Sequence, residues 1–153
     1  MAESLPVLPV TWRPRLARMV AYGVAVAVLS TMVIIAVLLP RTGSTAFGVT
    51  DRVAFAGVGV LVAGFLHVLA RPRLVADEYG LTVVNLFRSR RLTWPEVVNV
   101  NLRSGDPWVL LDLDDGGTLA VMAIQSSDGA RARRWVAELR ALVDEQTRTE
   151  HND

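Results

Sequence analysis

Apolar positions run almost unbroken through the first part of this chain and alternate with polar ones through the second. Residues 19–39 read MVAYGVAVAVLSTMVIIAVLL, with no charged side chain. At about 1.5 Å rise per residue, such a helix matches a hydrocarbon core of roughly 30 Å. Pro40, Arg41, Thr42 and Gly43 end the run. Residues 53–70, VAFAGVGVLVAGFLHVLA, also lack a formal charge and sit near the lower length limit for a span. Backbone groups in lipid must bond internally, so both runs are expected to be transmembrane helices. Residues 1–18 then form an N-terminal segment and 40–52 a short external loop. The glycines of the second run make a poor helix in water, but in lipid they permit close helix contact.

After Arg71-Pro72 the period shortens. Residues 74–76, 81–86, 90–93, 97–103, 108–113 and 118–124 read as short strands. Asp77-Glu78-Tyr79-Gly80, Trp94-Pro95-Glu96, Ser104-Gly105-Asp106-Pro107 and Asp114-Asp115-Gly116-Gly117 separate them. The period then turns helical. Ala132, Trp135, Val136, Leu139, Leu142 and Val143 form one apolar stripe, with Arg131, Arg133, Arg134, Glu138 and Arg140 off it. The spacing predicts an amphipathic helix over 128–146, capped by Ser127 or Asp128. Residues 147–153 are polar and are expected to be a disordered tail. The predicted architecture is a two-helix transmembrane hairpin followed by an α+β domain over 71–146. Its antiparallel bent sheet, or partly open barrel, carries one C-terminal capping helix.

Small residues mark candidate packing faces on the spans. Gly23 and Ala27 form one small-xxx-small pair, Gly59 and Ala63 another. They suit an antiparallel hairpin within the chain, with a homodimer seam as the alternative. Flanking arginines set the orientation. Arg13, Arg15 and Arg18 precede the first span, and Arg71 and Arg73 follow the second. The loop has Arg41 and Arg52 against Asp51. Both termini are therefore expected in the cytoplasm. Ser44 and Ala46 resemble a signal cleavage site, but the apolar run before them exceeds the roughly 7–15 residues of a signal peptide. Leu39-Pro40-Arg41-Thr42-Gly43 fits a sortase pattern, yet such signals lie at a C-terminus, and here it marks only a helix end.

Composition removes several function classes. Net charge is +1, so no global basic signature points to nucleic acid. Cysteine is absent, which excludes disulfides, thiolate nucleophiles and Cys-ligated zinc. Only two histidines occur: His67 in the second span and His151 in the tail. No catalytic triad, metal constellation, phosphate loop or paired-carboxylate motif appears, so neither enzyme activity nor a cofactor is expected. Asp112, Asp114 and Asp115 lack the later ligands of a calcium loop and read as a hairpin turn. Trp94, Trp108 and Trp135 read as core. His67, near the cytoplasmic end of its span, is an intramembrane ionisable group and so a functional candidate, but it reads more simply as a neutral group snorkelling to the interface or hydrogen-bonding to the other helix.

A strand meander ending in one helix resembles a pleckstrin homology (PH) fold. The local sequence is more specific. Arg71-Pro72-Arg73 leaving a span, Ala76-Asp77-x-x-Gly80-Leu81, Asn85-Leu86, and Arg90-Arg91-Leu92-x-Trp94-x-Glu96-Val97 resemble the bacterial PH domain of actinobacterial low molecular weight protein antigen 6. Trp12-Arg13-Pro14 before the first span belongs to the same likeness, which covers roughly 12–143. The resemblance implies two spans plus a PH-like domain, without enzyme activity or catalytic residues. The function expected is a membrane-anchored interaction module at the cytoplasmic face of the plasma membrane, binding a protein partner or another copy of itself. One alternative is anionic lipid headgroup binding through Arg71, Arg73, Arg88, Arg90 and Arg91, each contributing about 1 kcal/mol. Another is a structural subunit of a larger membrane complex.

Overall fold

A computed structural model of the chain describes residues 6–40 and 47–150, with side chains as far as residue 148. The chain forms two compact units. One joins the residues up to Leu16 with those from Arg71 onward, and the other is Ala17–Ala70.

The helical unit follows the two apolar runs. Helix α1 is Arg15–Leu38 and α2 is Val49–Leu69, with mean hydropathies of 2.4 and 1.9. Each begins four residues earlier than its apolar run predicts. Arg52 therefore lies within α2, and of the expected loop 40–52 only residues before 49 are non-helical or outside the described residues. Arg52 stabilises the end of α1 by donating to the carbonyls of Ala36, Val37 and Leu39. A cation there meets the negative end of the helix dipole and its orphan carbonyls. At the other end of the pair, the Tyr22 hydroxyl and His67 Nδ1 lie 3.2 Å apart. The two helices meet closely at Gly59. A Cβ built there would lie 3.0 Å from Met32 Cβ and 3.2 Å from Leu29 Cδ1.

The second unit is built from two antiparallel sheets and a helix. Strands β1 (Val10–Trp12), β2 (Arg73–Asp77), β3 (Gly80–Val84) and β4 (Ser89–Leu92) form one sheet in that order. Strands β5 (Val97–Asn101), β6 (Trp108–Leu113) and β7 (Thr118–Gln125) form the other. A 3-10 turn at Trp94–Glu96 joins the sheets, and α3 (Ala130–Glu150) closes the unit. The sheets do not close into a barrel. Strand alternation decides the core. Leu74, Leu81, Val83, Leu92, Val109 and Leu111 point inward, each 2% exposed or less. Helix α3 adds Ala132, Val136, Leu139, Leu142 and Val143 at helical spacing, with Trp135 packed beside them. Trp94 is buried in this core, whereas Trp108 is only half-buried.

Strand β1 was not predicted. It pairs with β2, Thr11 opposite Val75 and Trp12 opposite Leu74, although the whole helical unit separates them in sequence. Trp12 is 2% exposed, and its indole N–H donates to Glu138 Oε2 at 3.1 Å. The domain expected over 71–146 is thus discontinuous, and part of the expected N-terminal segment 1–18 is its edge strand. Two details at the ends of α3 also differ. Asp128 does not cap α3; its carboxylate instead accepts the backbone N–H groups of Arg15 and Leu16, the orphan donors at the start of α1. The helix also continues through the expected tail to Glu150, because Glu145, Gln146 and Arg148 are good helix formers. Residues 151–153 of that tail lie outside the described residues.

Candidate functional site

The five candidate arginines are all exposed, but they do not form one cluster. Neighbouring residues in a strand face opposite ways. Arg90 and Arg91 stand opposite Val83 and Thr82, so they leave the sheet on different faces. Each meets a carboxylate of this chain: Arg90 lies 3.8 Å from Asp115 and Arg91 3.3 Å from Asp77. Exposed pairs of this kind contribute little stability, about 0–1 kcal/mol, but they offset charge locally. Arg71 and Arg73 flank the buried Pro72 at the start of β2. Arg88 sits in the turn between β3 and β4, where its carbonyl accepts the Asn85 N–H at 2.9 Å.

Register places these residues along the sheet. Arg73 stands opposite Val84, which stands opposite Ser89. The 85–88 turn therefore lies at the end of the sheet where β2 begins and β1 stops at Trp12. Arg71, Arg73 and Arg88 share that end. The turn between β2 and β3, with Tyr79, lies at the other, about 14 Å away along β2.

The sheet edges are also occupied. Asn85 reaches the β7 backbone, donating from Nδ2 to the Ala120 carbonyl at 2.7 Å and accepting the Met122 N–H at 3.1 Å. On β5, Asn99 Oδ1 accepts the Val100 N–H at 2.9 Å, and Arg140 Nε donates to the Val100 carbonyl at 2.8 Å. Side chains thus satisfy backbone groups that would otherwise template another strand. Beside this edge, Val98 sits at a β-bulge and is 64% exposed. It borders a shallow groove lined also by Pro95, Val143 and Thr147. Sequence reading missed these side-chain blocks, because Asn85 and Arg140 act on residues 35 to 40 positions away.

Glu96 is the one described group whose acidity shifts clearly. The Thr93 backbone N–H donates to its carboxylate at 2.6 Å and the Thr93 hydroxyl at 2.8 Å, which holds its pKa below the ordinary carboxylate value. This is a capping box around the 3-10 turn, a structural role. Asp112 accepts from Asn101 Nδ2 at 2.6 Å, and Asp115 accepts the Gly117 N–H inside the hairpin turn. Among the described residues, no group of three or more His, Asp or Glu is arranged to hold a metal ion.

The candidate packing residues on the spans separate in the same way. Gly59 is buried against α1, whereas Gly23 and Ala27 are exposed and Ala63 is half-buried. The buried residues of α1 are Ala21, Ala25 and Ala36, a different face from Gly23 and Ala27.

Comparison with known proteins places this architecture. Residues 71–142 match the bacterial PH domain. Uncharacterized proteins of Mycobacterium tuberculosis and Mycobacterium bovis are 36% identical to the chain over 134 residues, covering 86% of it and 84% of each relative. No solved structure matches the chain.

Proposed function

The chain belongs to one family with these mycobacterial proteins and carries a bacterial PH domain; from that premise we propose that it is a non-enzymatic, membrane-anchored interaction module. Helices α1 and α2 cross the plasma membrane as a hairpin, with the PH-like unit and both termini in the cytoplasm. The narrower kinship with low molecular weight protein antigen 6 rests on the motif from Arg71 to Val97 and is part of this proposal.

The pairing of β1 with β2 carries the reading. Hydrogen-bonded strands lie on one side of a membrane, so the chain between Trp12 and Arg73 returns to the side it left. Two crossings meet that condition, and one does not. The excess of Arg next to the outer ends of the two helices supports the cytoplasmic side. Fusions at the C-terminus test this. A reporter active only in the cytoplasm is expected to work there, and activity of an export-dependent reporter would overturn the orientation.

The partner we assign is a protein at the membrane. Arg90 and Arg91 already meet Asp115 and Asp77, which argues against one cationic headgroup pocket using all five arginines. The bulged Val98 and its groove supply an apolar surface of the kind that partners cover. In-cell crosslinking from position 98 followed by mass spectrometry is expected to recover one protein reproducibly. Crosslinks to lipid alone would sink this assignment. A second reading, contact with anionic lipid, rests on the arginines that meet no carboxylate among the described residues and is developed next.

A further inference from the structure

The turn between β3 and β4 presents a bare aromatic ring on a firmly held base. Phe87 is 82% exposed. Beneath it, Asn85 closes the turn onto Arg88 and ties it to β7 through Ala120 and Met122. A ring held in water this way forgoes the transfer free energy that burial supplies. Beside it stand Arg88 and, across the register, Arg73, both exposed. This is the end of the sheet where β1 stops and β2 begins, next to the joins to α1 and α2.

A second basic group lies beside the start of α1. Asp128 holds the backbone of Arg15 and Leu16, so α3 starts beside the start of α1. The first turns of α3 carry Arg131, Arg133 and Arg134, with no acidic residue in the first turn. Cations there oppose the helix dipole, so helix stability does not explain them. Arg131 lies over the Trp135 ring, while Arg133 and Arg134 are exposed.

We propose that this end of the PH-like unit is a second membrane attachment. Phe87 enters the boundary between headgroups and acyl chains of the bilayer that α1 and α2 cross. Arg73 and Arg88 contact anionic phospholipid headgroups around it, and Arg133 and Arg134 contact them from the start of α3. Apolar rings and arginines side by side suit that boundary, where one group needs the acyl region and the other the phosphates. Arg90 and Arg91 stay with Asp115 and Asp77. The inference rests on the reading of α1 and α2 as spans, and it adds a lipid surface to the module without excluding a protein partner elsewhere on it.

The cysteine-free chain allows a direct test with single labelled cysteines in the full-length protein. An environment-sensitive fluorophore is placed by F87C, Y79C or V26C. Each protein is reconstituted into discs of phosphatidylcholine alone, or of phosphatidylcholine mixed with phosphatidylglycerol. The probe at 26 is expected to be quenched by spin labels deep in the acyl chains in both lipids. The probe at 87 is expected to be quenched by headgroup-level spin labels in the anionic discs, and the probe at 79 only by aqueous iodide. Adding R88Q is expected to lower the docked-to-free ratio at 87 about fivefold. Equal lipid quenching at 87 in both discs would overturn the role of the arginines. A probe at 87 that behaves like the one at 79 would overturn the attachment, as would one shielded from lipid and iodide alike, which would mean a protein cover. A probe at 26 without lipid quenching would instead sink the spanning reading, and this inference with it.

Discussion

The two units use similar apolar residues to opposite ends. In the PH-like unit, Leu81 and Leu111 are 0% exposed, and the exposed large apolar side chains are few. In the helical unit, Leu61 is 75% exposed and Phe65 60%, with valines bare along both helices. Only 11% and 6% of the most apolar windows of α1 and α2 are buried, unlike the inward faces of the PH-like unit. The first unit keeps apolar surface from water with its own chain. The second leaves that surface uncovered, and under the proposed function hydrocarbon is the solvent that covers it.

Three substitutions probe the contrast. The largest effect is expected from Trp12→Ala, which empties the core of the PH-like unit from a position before the helices. It should cost about 4 kcal/mol in denaturant unfolding of the solubilised full chain. An unchanged midpoint would mean that β1 is no part of the unit. Next, Leu61→Arg and Val98→Arg place the same charge on two exposed apolar sites. In an insertion assay the first should cost about 3 kcal/mol. The second should change stability by no more than about 0.5 kcal/mol. Equal effects would erase the distinction between the two solvents.

Glycines sharpen it further. Gly80 has φ +146°, and a Cβ there would lie 2.0 Å from the Leu92 carbonyl oxygen. Gly80→Ala should therefore cost roughly 2–3 kcal/mol. Gly57 in α2 has open space around it, so Gly57→Ala should leave folding unharmed when read by the same melt. The smallest effect belongs to Glu96. Its folded-state pKa is depressed, so its contribution is complete above the ordinary carboxylate range and fades as pH falls through the depressed value. Glu96→Gln should flatten the acid limb of a plot of melting temperature against pH. An acid limb identical to that of the parent would remove Glu96 from the account.

Local pattern was enough for much of this. The apolar runs mark α1 and α2, alternation marks β2 to β7, and the stripe from Ala132 to Val143 marks the buried face of α3. What was not legible depends on contacts between distant residues. Strand β1 is three residues long, between Pro9 and Pro14, and its partner lies beyond the whole helical unit. Asp128 looked like a cap for its own helix, because a sequence shows only the nearest orphan donors. The arginine cluster looked like one site because adjacency in sequence hides the alternation that turns Arg90 and Arg91 apart. Phe87 is not legible either, since a single aromatic in a turn signals nothing until its exposure and the Asn85 clamp beneath it are known.

The pairing of β1 with β2 also orders events during synthesis. Residues 10–12 leave the ribosome before the helices and, on the proposed topology, wait with Trp12 unpartnered while the helices are made and inserted. Closing the sheet then carries the loop entropy of the whole intervening chain, which an inserted hairpin reduces by bringing its ends together. A chain that inserts only one helix strands β1 and β2 on opposite faces of the bilayer. Its core then lacks a tryptophan and an edge strand. On the proposed topology, folding of the PH-like unit thus depends on both helices having been threaded.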